Sequence, residues 1–243
     1  MALIKSRYKV TYVLHVQEDY AVFRAVDIES REKREYLLNV YEGGLGRRYA
    51  PVFDGLRHCP EFVDMFIDRG ALVAVFTHTQ AGSIDSMFYK GAALDWRTRL
   101  DYAQMLFHLL LRTSHLPPEL CAAGFLSKNL MVLPKEGQLA VNYAVFPLEG
   151  MNAREVNYLL ADQVKKVLLR RYTSLNRELA LLDALAEARD MPAAQLYALW
   201  QDAREALTAE YARIYGKDVV QRSLFFFGTN VKRWMKKTFG KKR

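Results

Sequence analysis

Hydrophobic and polar positions change their spacing along this chain at about residue 80. Before that point, short runs rich in β-branched and aromatic residues alternate with polar or glycine-containing turns, which is typical of strands. The runs cover residues 8–15, 20–26, 36–41, 62–67 and 72–76. A short helix at about 47–56 follows a glycine-containing break between the third and fourth runs. The pattern predicts five strands and one helix in a small α+β unit.

After a connector at 77–82, apolar residues recur with helical spacing. Asp95 is a suitable N-cap for a helix that continues to about Ser114, and its apolar residues from 103 to 111 lie nearly all round, which predicts a buried helix. Pro117 and Pro118 end this helix, and we expect a loop from there to Asn129. A hairpin follows, with strands at 129–132 and 138–143. Further helices are predicted at about 153–172, 175–188, 193–215 and from about 219.

Composition indicates a soluble globular chain. It has 243 residues, 51% of them apolar, and no run of about 18 apolar residues that could span a bilayer. Cys59 and Cys121 have no metal-ligand spacing, and no secretory leader opens the sequence. These features favour a reducing, cytoplasmic location.

The positive charge is concentrated at the C-terminal end. The net charge is +8, and residues 222–243 contain no acidic residue, so residues 1–221 are neutral overall. A tail of this kind favours an anionic partner over sequence-specific recognition of nucleic acid by a folded basic face. The basic residues are Arg222, Lys232, Arg233, Lys236, Lys237, Lys241, Lys242 and Arg243.

A helical wheel of this tail separates two faces. Leu224, Phe227, Trp234 and Met235 fall within about 60° of Val231, whereas Lys232, Arg233, Lys236 and Lys237 fall between about 100° and 240°. Such a helix suits the cytoplasmic surface of a membrane, with Trp234 at the interface. The alternative is a last helix that docks on the rest of the protein.

The order of elements and three local sequences resemble the protein kinase fold. Residues 20–27 (YAVFRAVD) and 36–41 (YLLNVY) are similar to the second and third kinase strands, and residues 76–84 (FTHTQAGSI) to the hinge. The resemblance covers about residues 8–146. It implies a bilobal α+β protein with a five-stranded N-lobe at 1–80, a mainly helical C-lobe at 81–217 and a basic tail at 218–243.

The residues that kinases use for phosphoryl transfer are mostly replaced. The resemblance places Tyr20 where the glycine-rich turn needs a glycine, and Asn39 where the nucleotide lysine belongs. It aligns Gly124 with the catalytic base, Leu126 with the supporting lysine and Asn142 with the metal-binding aspartate.

Asn129 alone keeps the kinase residue, and one neutral oxygen is a poor magnesium site. Residues 144–151 replace the long activation segment with a truncated one. We therefore predict a pseudokinase without a cofactor or a metal.

The predicted function is a protein-binding scaffold at the inner face of the cell membrane, with a possible homodimer and no specific nucleic acid. A membrane-spanning helix would then follow Arg243 in a longer chain. That architecture is similar to the pseudokinase subunit (EssB/YukC type) of bacterial type VII secretion. Two alternatives remain open: a divergent phosphotransferase that recruits Asp54 or Glu149, and nucleic-acid or anionic-lipid binding through the basic tail.

Overall fold

The structure is a computed structural model that describes residues 3–56, 59–89, 92–170 and 172–239. Within these ranges the chain forms a six-stranded antiparallel sheet, a three-stranded sheet and eight helices. Lys241, Lys242 and Arg243, which we predict to contact an anionic partner, lie outside the described residues.

The larger sheet has the order β1-β2-β3-β4-β6-β5. Its strands are β1 Leu3–Ile4, β2 Tyr8–Val16, β3 Tyr20–Asp27, β4 Glu35–Tyr41, β5 Phe62–Asp68 and β6 Ala71–Thr77. The prediction of five strands was wrong by one, because β1 adds a short strand to the edge at β2. β1 has two residues, which are too few to show an alternating pattern in the sequence. In the turn between β1 and β2, Lys5 and Ser6 both have a φ of 52°, and neither residue type indicates such a turn.

Helix α1 (Gly43–Asp54) begins before the predicted start at residue 47. Gly43 has a φ of +53° and opens the helix, so the glycines that were expected to break the chain belong to its first turn. At Gly46 a Cβ atom would lie 3.1 Å from the carbonyl oxygen of Tyr41, so glycine permits this close approach to β4. Tyr49 and Phe53 are buried against the sheet.

The remaining elements follow the connector after β6. They are β7 Gly82–Ser83, α2 Ile84–Met87, α3 Trp96–Thr113, α4 Pro118–Phe125, β8 Leu130–Leu133, β9 Gln138–Val141, α5 Ala153–Leu168, α6 Asn176–Glu187, α7 Ala193–Tyr215 and α8 Val219–Phe239. The Asp95 side chain accepts hydrogen bonds from the backbone of Arg97 and Thr98, so its predicted N-cap role is confirmed.

Helix α4 corrects the predicted loop between Pro118 and Asn129. Pro118 starts the helix, where its missing N–H costs no hydrogen bond, and the six residues from Leu120 to Phe125 are all buried. Small apolar side chains allow α4 to pack closely against α3 and α5. Gly124 therefore lies inside a buried helix, and Leu126 is the residue that ends it.

One continuous hydrophobic cluster joins the inner face of the large sheet to the helices. It extends from Tyr20, Leu37 and Phe76 through α3 to Trp200 and Ile214 of α7. A smaller cluster around Tyr8 covers the opposite face of the sheet. The divisions at residues 80 and 217, and the two-lobed layout, stay predictions. No helix in the described part of the chain is long and apolar enough to cross a membrane.

Candidate functional site

Four of the six residues that the sequence resemblance aligns with kinase catalytic positions lie close together at the inner face of the large sheet. Asn39 is fully buried on β4. Its amide nitrogen donates to the carbonyl of Tyr143 at 2.9 Å, and its amide oxygen accepts from the N–H of Val145 at 2.8 Å. The side chain thus pairs with the backbone as a neighbouring strand would, and it ties residues 143–145 to the sheet.

Tyrosine side chains extend this attachment. The Tyr41 hydroxyl donates to the Val145 carbonyl at 2.6 Å, and the Tyr20 hydroxyl lies 3.4 Å from the Asn39 amide oxygen. The Tyr20 ring contacts the Phe146 ring at a centroid distance of 5.7 Å. Burial raises the pKa of the Tyr20 and Tyr41 hydroxyls, so both stay protonated donors near neutral pH. Tyr20 is the residue that the sequence resemblance aligns with the glycine-rich turn of kinases.

Asn142 joins the chain after β9 to the connector after β6. Its amide oxygen accepts from the N–H of Thr79 at 2.8 Å, and its amide nitrogen donates to the Thr79 carbonyl at 2.9 Å. An aspartate could accept the first bond but could not donate the second while ionised. The amide therefore suits this position for an internal, structural reason.

Asn129 is also engaged by the backbone. Its amide nitrogen donates to the carbonyl of Ala123 at 2.8 Å and to that of Ala144 at 2.9 Å. Its own carbonyl accepts from the N–H of Asn142 at 2.8 Å. Asn129 thus links the end of α4 to residues 142–144.

A small cleft of about 200 Å³ remains beside these bonds. Among the described residues that line it there is no acidic side chain, and the basic ones are Arg24, His78 and Lys128. Glu35, just outside, lies 3.1 Å from His78 and 3.7 Å from Arg24. Burial lowers the pKa of His78, an effect that Glu35 opposes, and burial also lowers the pKa of Lys128. The Lys128 ammonium lies 3.0 Å from the centre of the Phe146 ring.

The structure thus brings together four of the six predicted positions: Tyr20, Asn39, Asn129 and Asn142. Phe76 joins them through its ring contact with Tyr143 at 5.4 Å. Gly124 and Leu126 lie on α4 and at its end; like Tyr20 and Asn39 they do not line the cleft, and the Leu126 carbonyl accepts from the Asn129 N–H at 2.8 Å.

Sequence reasoning missed the backbone partners at positions 79, 143 and 145, as well as Tyr41 and Lys128. A polar residue in an otherwise apolar strand, as at Asn39, is the signal that could have indicated a buried bond to a distant segment.

Some of the tail residues that were predicted to contact a membrane or an anionic partner instead contact other parts of this protein. Helix α8 packs through Phe226, which is 7% exposed, and Arg233 donates to the Asn176 side chain and the Ser174 carbonyl. The guanidinium of Arg222 lies 4.8 Å from the centre of the Tyr215 ring. Lys232, Trp234, Lys236 and Lys237 are exposed.

The predicted apolar face of α8 is largely exposed, and Phe227, Val231 and Trp234 also line a groove beside Tyr172. Leu224 is 64% exposed, Phe227 69% and Trp234 62%. On the wheel Leu224 lies opposite Arg233, whereas Phe227 and Trp234 lie about 100° from their buried or docked neighbours Phe226 and Arg233. Helix α8 therefore docks on the rest of the protein through Phe226 and Arg233 and still has a largely exposed apolar face.

The two acids considered for a divergent phosphotransferase are both exposed. Asp54 lies at the end of α1, and Glu149 lies in the segment between β9 and α5. Within the described ranges, no three His, Cys, Asp or Glu side chains are close enough together to hold a metal ion.

Comparison with known proteins identifies the fold. No protein-family model matches the chain, and no curated protein matches it. Among solved structures, 1594 chains match. One of them is a pseudokinase in its apo form, with 12% identity and a TM-score of 0.54 over 81% of this chain and 92% of that one. The fold is therefore protein kinase-like, as the sequence resemblance implies.

Proposed function

We propose that this chain is a catalytically inactive, kinase-like binding domain. The observation that carries the proposal is the pair of hydrogen bonds between Asn142 and Thr79. These bonds use the side chain that would have to hold magnesium, and they close the cleft from within. Asn39 is used in the same way, by Tyr143 and Val145.

The size and charge of the cleft support the proposal. Ligand sites of ordinary small molecules have volumes of about 300–1,000 Å³, and about 200 Å³ remains here. Phosphoryl transfer needs carboxylates that hold magnesium against the phosphates. The described lining of the cleft offers none.

Thermal unfolding with ATP, and with ATP plus magnesium, tests this proposal. A ligand at 100 times its Kd adds about 2.7 kcal/mol to the free energy of unfolding. For a chain of this size that is a rise in Tm of roughly 5–10 °C. We expect no rise at millimolar nucleotide.

Two variants show whether any rise in Tm comes from binding in the cleft. Lys128→Met changes the cleft lining, and the control Lys135→Met changes an exposed turn. A magnesium-dependent rise that is lost in the first variant and kept in the second would overturn the proposal.

The proposed scaffold role needs a surface for a protein partner, and we place it at the outer edge of β2. β1 pairs only with Tyr8 and Lys9, while Tyr12, Val13 and Leu14 are exposed beyond it. Such an edge can accept a further strand. The proposed occupant is a second copy of β2, because antiparallel pairing would bring the exposed apolar residues Tyr12, Val13 and Leu14 of the two copies together.

The proposed membrane context rests on α8. Its outward apolar face carries exposed Trp234, and exposed lysines at 232, 236 and 237 flank it. Each lysine near an anionic surface contributes about 1 kcal/mol. Vesicles and DNA compared at equal ionic strength distinguish this proposal from nucleic-acid binding, because salt weakens both but an apolar contribution is expected with lipid alone.

A place in type VII secretion stays a prediction from architecture. It depends on a membrane-spanning helix beyond Arg243.

A further inference from the structure

A second cavity, larger than the cleft, lies between α2, α5, α6 and α8. Its volume is about 650 Å³, within the range of ordinary ligand sites. Four basic residues line it: Lys165, Lys166, Arg170 and Arg233. Phe88, Tyr89, Leu169 and Leu179 supply apolar walls, and Asp162 is the acid among the described lining residues. The cavity is therefore both cationic and partly apolar.

Two of the four cations are already neutralised. Lys166 pairs with Asp85 and also donates to the Ser127 hydroxyl. The Arg170 guanidinium lies 3.9 Å from the buried Glu178 carboxylate. Their charges contribute little to attracting a further anion, because each has a carboxylate beside it.

The other two cations have no carboxylate partner within the described part of the chain. Arg233 binds two neutral oxygens, the Asn176 side chain at 2.8 Å and the Ser174 carbonyl at 2.6 Å. Lys165 is exposed on α5 and forms no ion pair there. The two bonds from Arg233 to Asn176 and Ser174 hold its guanidinium at the cavity wall, so the position of this charge is fixed before a ligand arrives.

The same helix connects this cavity to an apolar groove. Phe227, Val231 and Trp234 of α8 line the groove together with Tyr172, and its volume is about 550 Å³. Because Arg233 and Trp234 are neighbours in sequence, α8 presents a cation to one cavity and an aromatic ring to the other. A ligand that suits both is an anion attached to an apolar chain.

We propose that the basic cavity binds a phosphate monoester group, and that its source is the headgroup of an anionic phospholipid on which α8 lies. The phosphate would accept hydrogen bonds from Lys165 and Arg233. This inference rests on the membrane association proposed above and adds a headgroup site to it. A free phosphate monoester shares the same chemistry.

Glycerol 3-phosphate tests the cavity without a membrane. Titrations followed by Tm compare the wild type, Lys165→Gln and the control Lys135→Gln, with sodium chloride at equal ionic strength as the blank. Both variants remove one exposed lysine, but only the first changes the cavity lining, and Lys135 has no part in the proposed membrane surface. We expect binding to weaken about tenfold or more in Lys165→Gln and to be unchanged in Lys135→Gln. Equal binding by all three proteins, or no binding, would overturn the site.

Vesicle sedimentation identifies the source of the phosphate. Phosphatidylcholine vesicles with and without phosphatidic acid are compared for the same three proteins. Binding that requires phosphatidic acid and is weaker in Lys165→Gln supports the headgroup site. Binding of glycerol 3-phosphate without any vesicle binding would overturn the lipid source and the membrane proposal, but not the phosphate site. Equal vesicle binding by wild type and Lys165→Gln, with no effect of glycerol 3-phosphate, would overturn the site and leave the membrane proposal standing.

Discussion

Asn142→Asp restores the carboxylate that the kinase resemblance calls for, and we expect it to destabilise this protein. The carboxylate still accepts from the N–H of Thr79, but it replaces the donor that lies 2.9 Å from the Thr79 carbonyl. Asn142 is 6% exposed, so water replaces that donor poorly. A buried acceptor left without a donor costs about 1–3 kcal/mol. A loss of about 2 kcal/mol lowers Tm by roughly 4–8 °C in a chain of this size.

The deficit should depend on pH. Burial and the facing carbonyl raise the pKa of the introduced carboxyl above the ordinary value of about 3.9. The protonated form can donate to Thr79, so its stabilisation is fully present below about pH 3.9 and is lost as pH rises through the folded-state pKa. Urea unfolding at about pH 4.5 and about pH 7 should therefore show the larger deficit at the higher pH.

Asn152→Asp is the matched control for this substitution. Asn152 is exposed at the N-terminus of α5, where its oxygen accepts from the Glu155 N–H at 3.2 Å. Aspartate keeps this bond and is favoured by the helix dipole, while the bond that the Asn152 amide donates to the Gly150 carbonyl at 3.2 Å is exposed and can be replaced by water, so we expect no loss of stability. If Asn142→Asp and the wild type have the same free energy of unfolding near pH 7, the paired bonds to Thr79 do not hold the cleft closed, and the reasoning is refuted.

Three further predictions test other parts of the structure. Asn39→Ala should lower the free energy of unfolding by about 2–4 kcal/mol in urea titrations, because it leaves a buried carbonyl and a buried N–H without partners; a loss under 1 kcal/mol would contradict this. Phe226→Ala should lower the free energy of unfolding by about 3–5 kcal/mol, because Phe226 is buried, whereas the neighbouring Phe227→Ser should lower it by less than about 0.5 kcal/mol, because Phe227 is exposed. Equal changes in Tm would show that α8 docks by another face. For the proposed β2 pairing, Val13→Lys should weaken self-association in sedimentation experiments, because it places two like charges near each other where the β2 strands of two copies meet; unchanged self-association in this variant would exclude the pairing.

Local patterns predicted most of the elements. The five longer strands follow runs of β-branched and aromatic residues, and α7 has the predicted bounds, because both depend on a repeat over many residues. α4 escaped prediction because a short stretch of small apolar residues has no amphipathic period, and its helical form depends on packing against α3 and α5. The kinase resemblance identified Asn39 and Asn142 as important positions. It could not identify their partners, which lie 104 and 106 residues from Asn39 and 63 from Asn142.

The prediction for helix α8 was also incomplete. The helical wheel of α8 identified the apolar face around Phe227 and Trp234, but a wheel treats the opposite face as polar because it carries basic residues. Phe226 lies on that opposite face and is buried, and Arg233 beside it binds the body. Long basic side chains can pack and donate to carbonyls, so a basic face does not have to face solvent.

Three buried asparagines, Asn39, Asn129 and Asn142, hold the segment after β9 in place within this kinase-like fold. At Asn39 and Asn142, one amide donates to a carbonyl and accepts from an N–H, which neither a lysine nor an ionised aspartate can do. At Asn129 both bonds of the amide are donated to carbonyls. Charged residues at these positions would need a nucleotide or a metal to offset their burial, whereas amides are satisfied by the backbone already present. The short segment 142–146 is thereby bound on several sides, and the binding surfaces proposed for this protein lie elsewhere, at β2 and α8.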